Sequence, residues 1–243
     1  FEETVARWRR EGRLPAGAWG ELAVAPVLGA AGQVWNALAD EVARYPHMLE
    51  PVEIRLSVAD VNIEDWVSGV VAGPAGKALL SWRPSKSRGQ GSRGIKYHYF
   101  VKAFVTHVCL AAQGGALQDE PVQAVLIAAD KVYRLPVMTQ AQAIAQLEDW
   151  IGAWKQGLMR PLPVAFKSAM AYLQAANGGN AADPLLAARK TYESSNANAA
   201  AEVDESPAFL RSYPHFDEMT DFAPWAQRLY GGLQQWLAAE ADA

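Results

Sequence analysis

Seven cations stand between Asp65 and Asp119 with no acidic residue among them: Lys77, Arg83, Lys86, Arg88, Arg93, Lys96 and Lys102. The other fifteen of the 22 basic residues share the rest of the chain with all 26 acidic ones, so a formal charge of −4 conceals one strongly positive segment. Such a segment suits phosphates, because each neutralised phosphate releases counterions whatever the base sequence. The competing reading is a solvated basic loop, since PSKSRGQGSRG holds no apolar residue except Pro84. The same loop places Gly89, Gly91 and Gly94 in the spacing of dinucleotide-binding loops. Its context opposes that use: five residues separate it from the preceding strand, no βαβ unit precedes it, and no acid for a ribose follows until Asp119.

A second candidate lies in VNIEDWVSGVV and KALLSWR. In many metal-dependent nucleases one carboxylate from each of two neighbouring strands holds a divalent ion that activates water. A lysine two residues beyond the second acid neutralises charge developing at the phosphate. Here the acid-x-lysine position reads Ser81-Trp82-Arg83, and the facing position is Ser68. Neither serine replaces an anionic oxygen ligand for magnesium. The scaffold of a nuclease with an emptied site is the expectation. The alternative is a working nuclease whose acids, Asp60, Glu64 or Asp65, enter by a shifted strand register.

Other chemistry-bearing side chains point nowhere specific. His107 and Cys109 are two residues apart on a predicted helix and so face different ways, with His98 one face over, so they cannot clasp one ion without more ligands, and His47 and His215 have no partner pattern. Trp66 and Trp82 are expected on adjacent strands, where they either stack on bases or fill the space between helix and sheet.

The elements that must position these residues follow from periodicity. FEETVARWRREGRLPAG predicts a short helix ending near Gly12, and Val34, Leu38, Val42 and Tyr45 predict a second. From Val52 the period becomes two, predicting a three-stranded meander whose last turn runs from Ala72 to Lys77. A buried helix behind the basic loop carries Tyr97, Phe100, Val101, Phe104 and Val108, and two strands follow, joined at Asp130. Helices are predicted over 140–158, 164–174, 184–192 and about 222–239, with a polar acidic linker over 195–206. Trp225, Leu229, Leu233 and Trp236 form an apolar stripe on the last, either internal or facing a partner.

The whole is expected to be one α/β domain over 1–243, with a core at about 50–137 and a helical part at about 138–243. At 51% apolar residues the chain can bury a sizeable core. No apolar run is expected to reach the roughly 18 residues that span a bilayer, the stretch from Leu22 to Leu38 being interrupted by Pro26, glycines, Gln33 and Asn36. A single cysteine, Cys109, excludes an internal disulfide. A chain that opens at Phe1 with no signal-peptide pattern reads as a cytoplasmic piece of a longer protein.

Several segments resemble one family: RLPAGAWGELA, VEIRLSVADVNIEDWVSGVV with KALLSWRPSKS, FVKAFVTHVCLAA, YRLPVMTQAQAIAQLEDWIGAWKQGLMRPLPV and LAARKTYES. They are similar to the C-terminal domain of RecC, the gamma subunit of exodeoxyribonuclease V, the RecBCD helicase-nuclease. The resemblance implies a PD-(D/E)XK nuclease-like core, a mixed sheet with flanking helices, and helical additions at both ends. It implies catalytic degeneracy, which agrees with Ser68, Ser81 and Arg83, and no cofactor. Implied partners are DNA, as forked duplex and single strands, and RecB-like and RecD-like subunits, in a heterotrimer for the full subunit and with no membrane. The full subunit scaffolds its partners, guides unwound strands and helps recognise Chi. The family also uses a pin to split the duplex, for which Gly73, Pro74, Ala75 and Gly76 are the candidates, with the seven cations lining a DNA channel. Beside the working nuclease or other hydrolase as the rival from another class, a third reading is a purely structural interaction module.

Overall fold

The computed structural model describes residues 1–89, 94–114, 121–178, 183–194 and 200–241. Along the chain run α1 (Glu2–Arg10), α2 (Ala18–Arg44), β1 (His47–Met48), β2 (Val52–Val58), β3 (Val61–Val67), β4 (Val70–Gly73), β5 (Gly76–Trp82), α3 (Val101–Gln113), β6 (Val122–Ile127) and β7 (Val132–Leu135). Then come α4 (Gln140–Gly157), α5 (Phe166–Asn177), α6 (Pro184–Glu193), α7 (Pro207–Ser212) and α8 (Phe222–Ala241). The chain divides into two compact units. One comprises Phe1–Val52, Val67–Ala103 and Leu117–Val137, the other Glu53–Trp66, Phe104–Ala116 and Met138–Ala243.

The first unit is built on a five-stranded mixed sheet in the order β1-β4-β5-β6-β7. Only β5 and β6 run parallel, a pairing that demands a long crossover, which the loop after Trp82 and α3 supply. These two central strands read as nearly continuous apolar runs because both faces are covered. Ala78, Leu79 and Leu80 of β5 are buried in succession, as are Ala124, Val125, Leu126 and Ile127 of β6. On one face Ala30, Val34, Ala37 and Leu38 of α2, with Tyr45, pack on Val71, Ala78, Leu80, Val125 and Ile127.

Helix α2 departs from the sequence expectation. Pro26 and the glycines do not break it, and its 27 residues form a helix long and apolar enough, by length and composition, to cross a membrane. Its second half belongs instead to the sheet core, and its Glu41 is buried against β7, where it pairs with Arg134.

The meander is also not one sheet. The run VNIEDWVSGVV breaks at Ser68-Gly69, where Gly69 has φ +86°, so β2 and β3 form a separate two-stranded sheet while β4 joins β5. Trp66 and Trp82 therefore lie in different sheets, not on adjacent strands, with 61% and 62% of their surface exposed. The β2–β3 turn is Ala59-Asp60, with φ of 47° and 60°, the pair of left-handed residues that a tight hairpin turn needs.

The second unit holds this hairpin and the C-terminal helices. Thr139 opens α4 with a capping box completed by Gln142. Tyr192, Ala188 and Ala169 pack with Phe216, Phe222 and Trp225 in one core. Trp225, Leu233 and Trp236 of the α8 stripe are buried, so that stripe is internal. The predicted acidic linker is only partly a linker: residues 195–199 lie outside the described residues, but Glu202–Glu205 form a 3-10 turn. Buried Glu202 accepts from the amides of Lys167 and Ser168 at 2.7 and 2.8 Å, capping α5.

Candidate nucleic-acid interface

Beyond Trp82 the chain keeps β6 as its guide: the Arg83 amide donates to the Ile127 carbonyl, and the Ala129 amide donates to the Ser85 carbonyl. It then doubles back. Arg88 bridges Ile95, the Gly89 amide donates to the Gly94 carbonyl, and the Lys96 amide donates to the Ser87 carbonyl at 2.9 Å. The basic stretch thus has a narrow antiparallel base. Gly94 is followed by a bridge residue and a 3-10 turn (Tyr97–Tyr99) before α3, so among the described residues no helix opens directly at Gly94, as a dinucleotide-binding loop requires. Gly91 and Arg93 lie outside the described residues.

A small polar cluster anchors this base. Ser87 is fully buried, and its hydroxyl lies 2.6 Å from the Tyr133 hydroxyl and donates to Asp130 at 2.9 Å. Asp130, in the turn between β6 and β7, also accepts from the Ser87 amide at 2.6 Å and the Arg88 amide at 3.1 Å. Partial burial pushes the Asp130 carboxyl up, but the bonds from Ser87 and Arg88 outweigh it and hold it below the usual carboxylate range.

Around Tyr99 the cations gather. The Arg83 guanidinium carbon sits 3.6 Å from the Tyr99 ring centroid, and Lys96 Nζ lies 5.3 Å from it while donating to the Lys86 carbonyl at 3.2 Å. Nε and Nη1 of Arg83 are buried and meet no hydrogen-bond acceptor among the described residues.

The other predicted cations are placed differently. Lys77 is the second residue of β5, six residues and about 20 Å of strand from Arg83. The Gly73–Gly76 turn lies at the same end as Lys77. Gly73 is packed so closely on the backbone of Arg44 and Tyr45 that a side chain would not fit, and of the four turn residues only Pro74 and Ala75 are exposed. Lys102 is exposed in the first turn of α3.

Of the two serines at the expected carboxylate positions, Ser81 lies in β5 and Ser68 in the break between β3 and β4, one residue before Gly69, whose carbonyl accepts from the Leu80 amide. Ser81 Oγ is 3.4 Å from the Val125 carbonyl. Asp60, Glu64 and Asp65 all belong to the β2–β3 hairpin, and the Asp65 carboxylate accepts from the Trp66 amide at 2.7 Å. Among the described residues no three His, Cys, Asp or Glu side chains stand close enough to hold a metal ion. His107 is buried with its ring 5.4 Å from Trp236, and burial together with Asp65 pushes the Cys109 thiol up.

A family model described as the RecC C-terminal domain matches residues 1–177, nearly three quarters of the chain. The chain belongs to the RecC C-terminal domain family. It is 29% identical over 174 residues to the RecBCD enzyme subunit RecC of Escherichia coli (strain K12), a match that covers 71% of this chain and 14% of that subunit. The chain therefore corresponds to a small part of its RecC relative's length. The basic base, its Asp130 anchor, Ser68 and Ser81 all fall within the matched residues.

Sequence reasoning singled out the seven cations and both serines, of which Arg83 and Lys96 meet at Tyr99 while Lys77 stands apart and Arg93 lies outside the described residues. It missed Ser87, Tyr99, Asp130 and Tyr133 as parts of the same site, because Ser87 and Asp130 are 43 residues apart and no local pattern connects them.

Proposed function

We propose that this RecC-type domain is a non-catalytic DNA-binding and scaffolding part of a RecBCD-like helicase-nuclease, acting in double-strand break repair and recombination. The observation that carries the reading is the meeting of Arg83 and Lys96 on the Tyr99 ring, beside the Lys86–Arg88 backbone that Lys96 and Asp130 hold, with serines at the two positions where a nuclease would need carboxylates. Cations without metal ligands hold a phosphate backbone and leave it intact. The core is in this reading a degenerate PD-(D/E)XK nuclease-like one, in which Arg83 keeps the positive charge of the catalytic lysine while Ser68 and Ser81 have lost the acids. Lys77, Lys102 and Arg93 extend the same backbone path, and Gly73, Pro74, Ala75 and Gly76 serve as a duplex-contacting pin at the other end of β5. Docking to RecB-like and RecD-like subunits is supported by α2, which leaves Trp19, Leu22, Val27 and Trp35 exposed, residue types that interface cores favour.

The test is electrophoresis of labelled forked DNA with magnesium, titrating the chain at two salt concentrations and running native and denaturing gels in parallel. The expected result is a salt-sensitive shift with intact DNA. Changing Arg83 or Lys96 to Gln should then lower the salt slope by about 0.7 to 0.9 for each phosphate no longer neutralised. Cleavage that disappears in Asp65→Asn would overturn the non-catalytic reading, and neither shift nor cleavage would leave a subunit-docking module.

A further inference from the structure

Among the described residues Asp130 is the acid that hydrogen bonds join to the basic base, and on charge alone it should oppose DNA. Its geometry argues the reverse. Its carboxylate accepts three bonds from Ser87 and Arg88, at 2.6, 2.9 and 3.1 Å, and they fix the backbone between two cations, Lys86 and Arg88. The same Ser87 passes the constraint on: its carbonyl accepts from the Lys96 amide at 2.9 Å, and its hydroxyl is locked against buried Tyr133. Lys96 in turn reaches the Lys86 carbonyl and the Tyr99 ring on which Arg83 is stacked. Each of these cations sits on a segment of glycine and serine that would otherwise have many conformations to lose on binding.

We propose that Asp130 is a positioning residue of the DNA-backbone site: its carboxylate holds Ser87 and Arg88 so that Lys86, Arg88 and Lys96 meet successive phosphodiester oxygens as a preformed set. This rests on the DNA-binding reading above and adds to it a residue of the opposite charge. The consequence separates geometry from Coulomb attraction. Removing the Asp130 charge makes the site more positive, so a site governed by net charge binds DNA more tightly, whereas a site governed by the clamp binds it more weakly.

The experiment compares the unaltered chain with Asp130→Asn and Asp130→Ala, by fluorescence anisotropy on a labelled single strand and on forked DNA over a series of salt concentrations. The expected result is affinity at least about threefold weaker in both variants and a salt slope lower by about 0.7 to 0.9, the value for one phosphate. Two further variants guard against a folding defect. Tyr133→Phe, which removes only the hydroxyl that meets Ser87, should weaken binding in the same direction by a smaller factor. In the Lys86→Gln, Arg88→Gln background Asp130→Asn should no longer weaken binding, because the cations it positions are gone. A general loss of structure would weaken that background as well. Asp130→Asn binding equally or more tightly than the unaltered chain, while the unaltered chain binds with a normal salt slope, overturns the clamp alone. No binding by the unaltered chain overturns the DNA reading and the clamp together.

Discussion

The Glu41 carboxylate of α2 is 1% exposed and is paired with the Arg134 guanidinium of β7, 93 residues away in the chain. It joins the helix to the edge strand of the sheet. Breaking a buried pair from one side strands the other charge, which costs about 3 to 5 kcal/mol, whereas replacing both members with apolar residues costs far less. Arg134→Met is therefore expected to lower stability by about that amount, and the double variant Glu41→Leu, Arg134→Met to recover most of it. Denaturant titration of the three proteins checks the order. A single variant no less stable than the double would show the pair to be dispensable.

Glu202 closes the N-terminus of α5 by accepting from two backbone amides and the Ser168 hydroxyl, the last at 2.7 Å. Glu202→Ala leaves buried donors without an acceptor and is expected to cost about 3 kcal/mol, while Ser168→Ala removes one bond and costs about 1 kcal/mol. Thermal unfolding should rank them in that order. Equal effects would show that the hydroxyl, not the carboxylate cap, matters.

Tyr192 is fully buried, donates its hydroxyl to the Tyr213 carbonyl at 2.6 Å, and titrates high, pushed up to about 12 by burial and then by the nearby carboxylates of Glu202, Glu193 and Glu218. Its ordinary value is 10.0. The unfolded chain therefore ionises first, so the contribution of Tyr192 to stability is complete below pH 10 and is lost as the pH rises towards 12. Tyr192→Phe should flatten the fall in stability over that interval. An unaltered slope between the two proteins would remove Tyr192 as its cause.

The Ala59-Asp60 turn holds an alanine at φ 47°, where a Cβ is disfavoured by about 1 to 2 kcal/mol. Ala59→Gly relieves that strain, partly offset by the greater freedom of glycine in the unfolded chain, and is expected to stabilise by about 0.5 to 1 kcal/mol. A lower unfolding midpoint would contradict this. The Lys155 ammonium donates to the Ala59 carbonyl at 2.6 Å, so the backbone position is held while the side chain changes.

Much of this is legible in the residues alone, and the reason differs by element. Helices α4, α6 and α8 are readable because apolar residues recur every three or four positions between glycines and prolines. β5 and β6 are readable from short apolar runs with turn residues on either side. The split of the meander at Ser68-Gly69 is not, since a glycine within an apolar run marks a bend as readily as a bulge. Nor is the course of α2, where Pro26 falls inside a helix that continues through it.

The sequence by itself determined that a positive segment exists and which stretches can form helices or strands. Those properties reside in residue type and local spacing. Tertiary structure decided which cations stand near one another: β5 carries Lys77 away from Arg83, while the turn after β6 returns Asp130 to Ser87 across 43 residues. Hydrogen bonds and buried charges require atoms within about 3 Å, and only the folded chain brings together groups so distant along it.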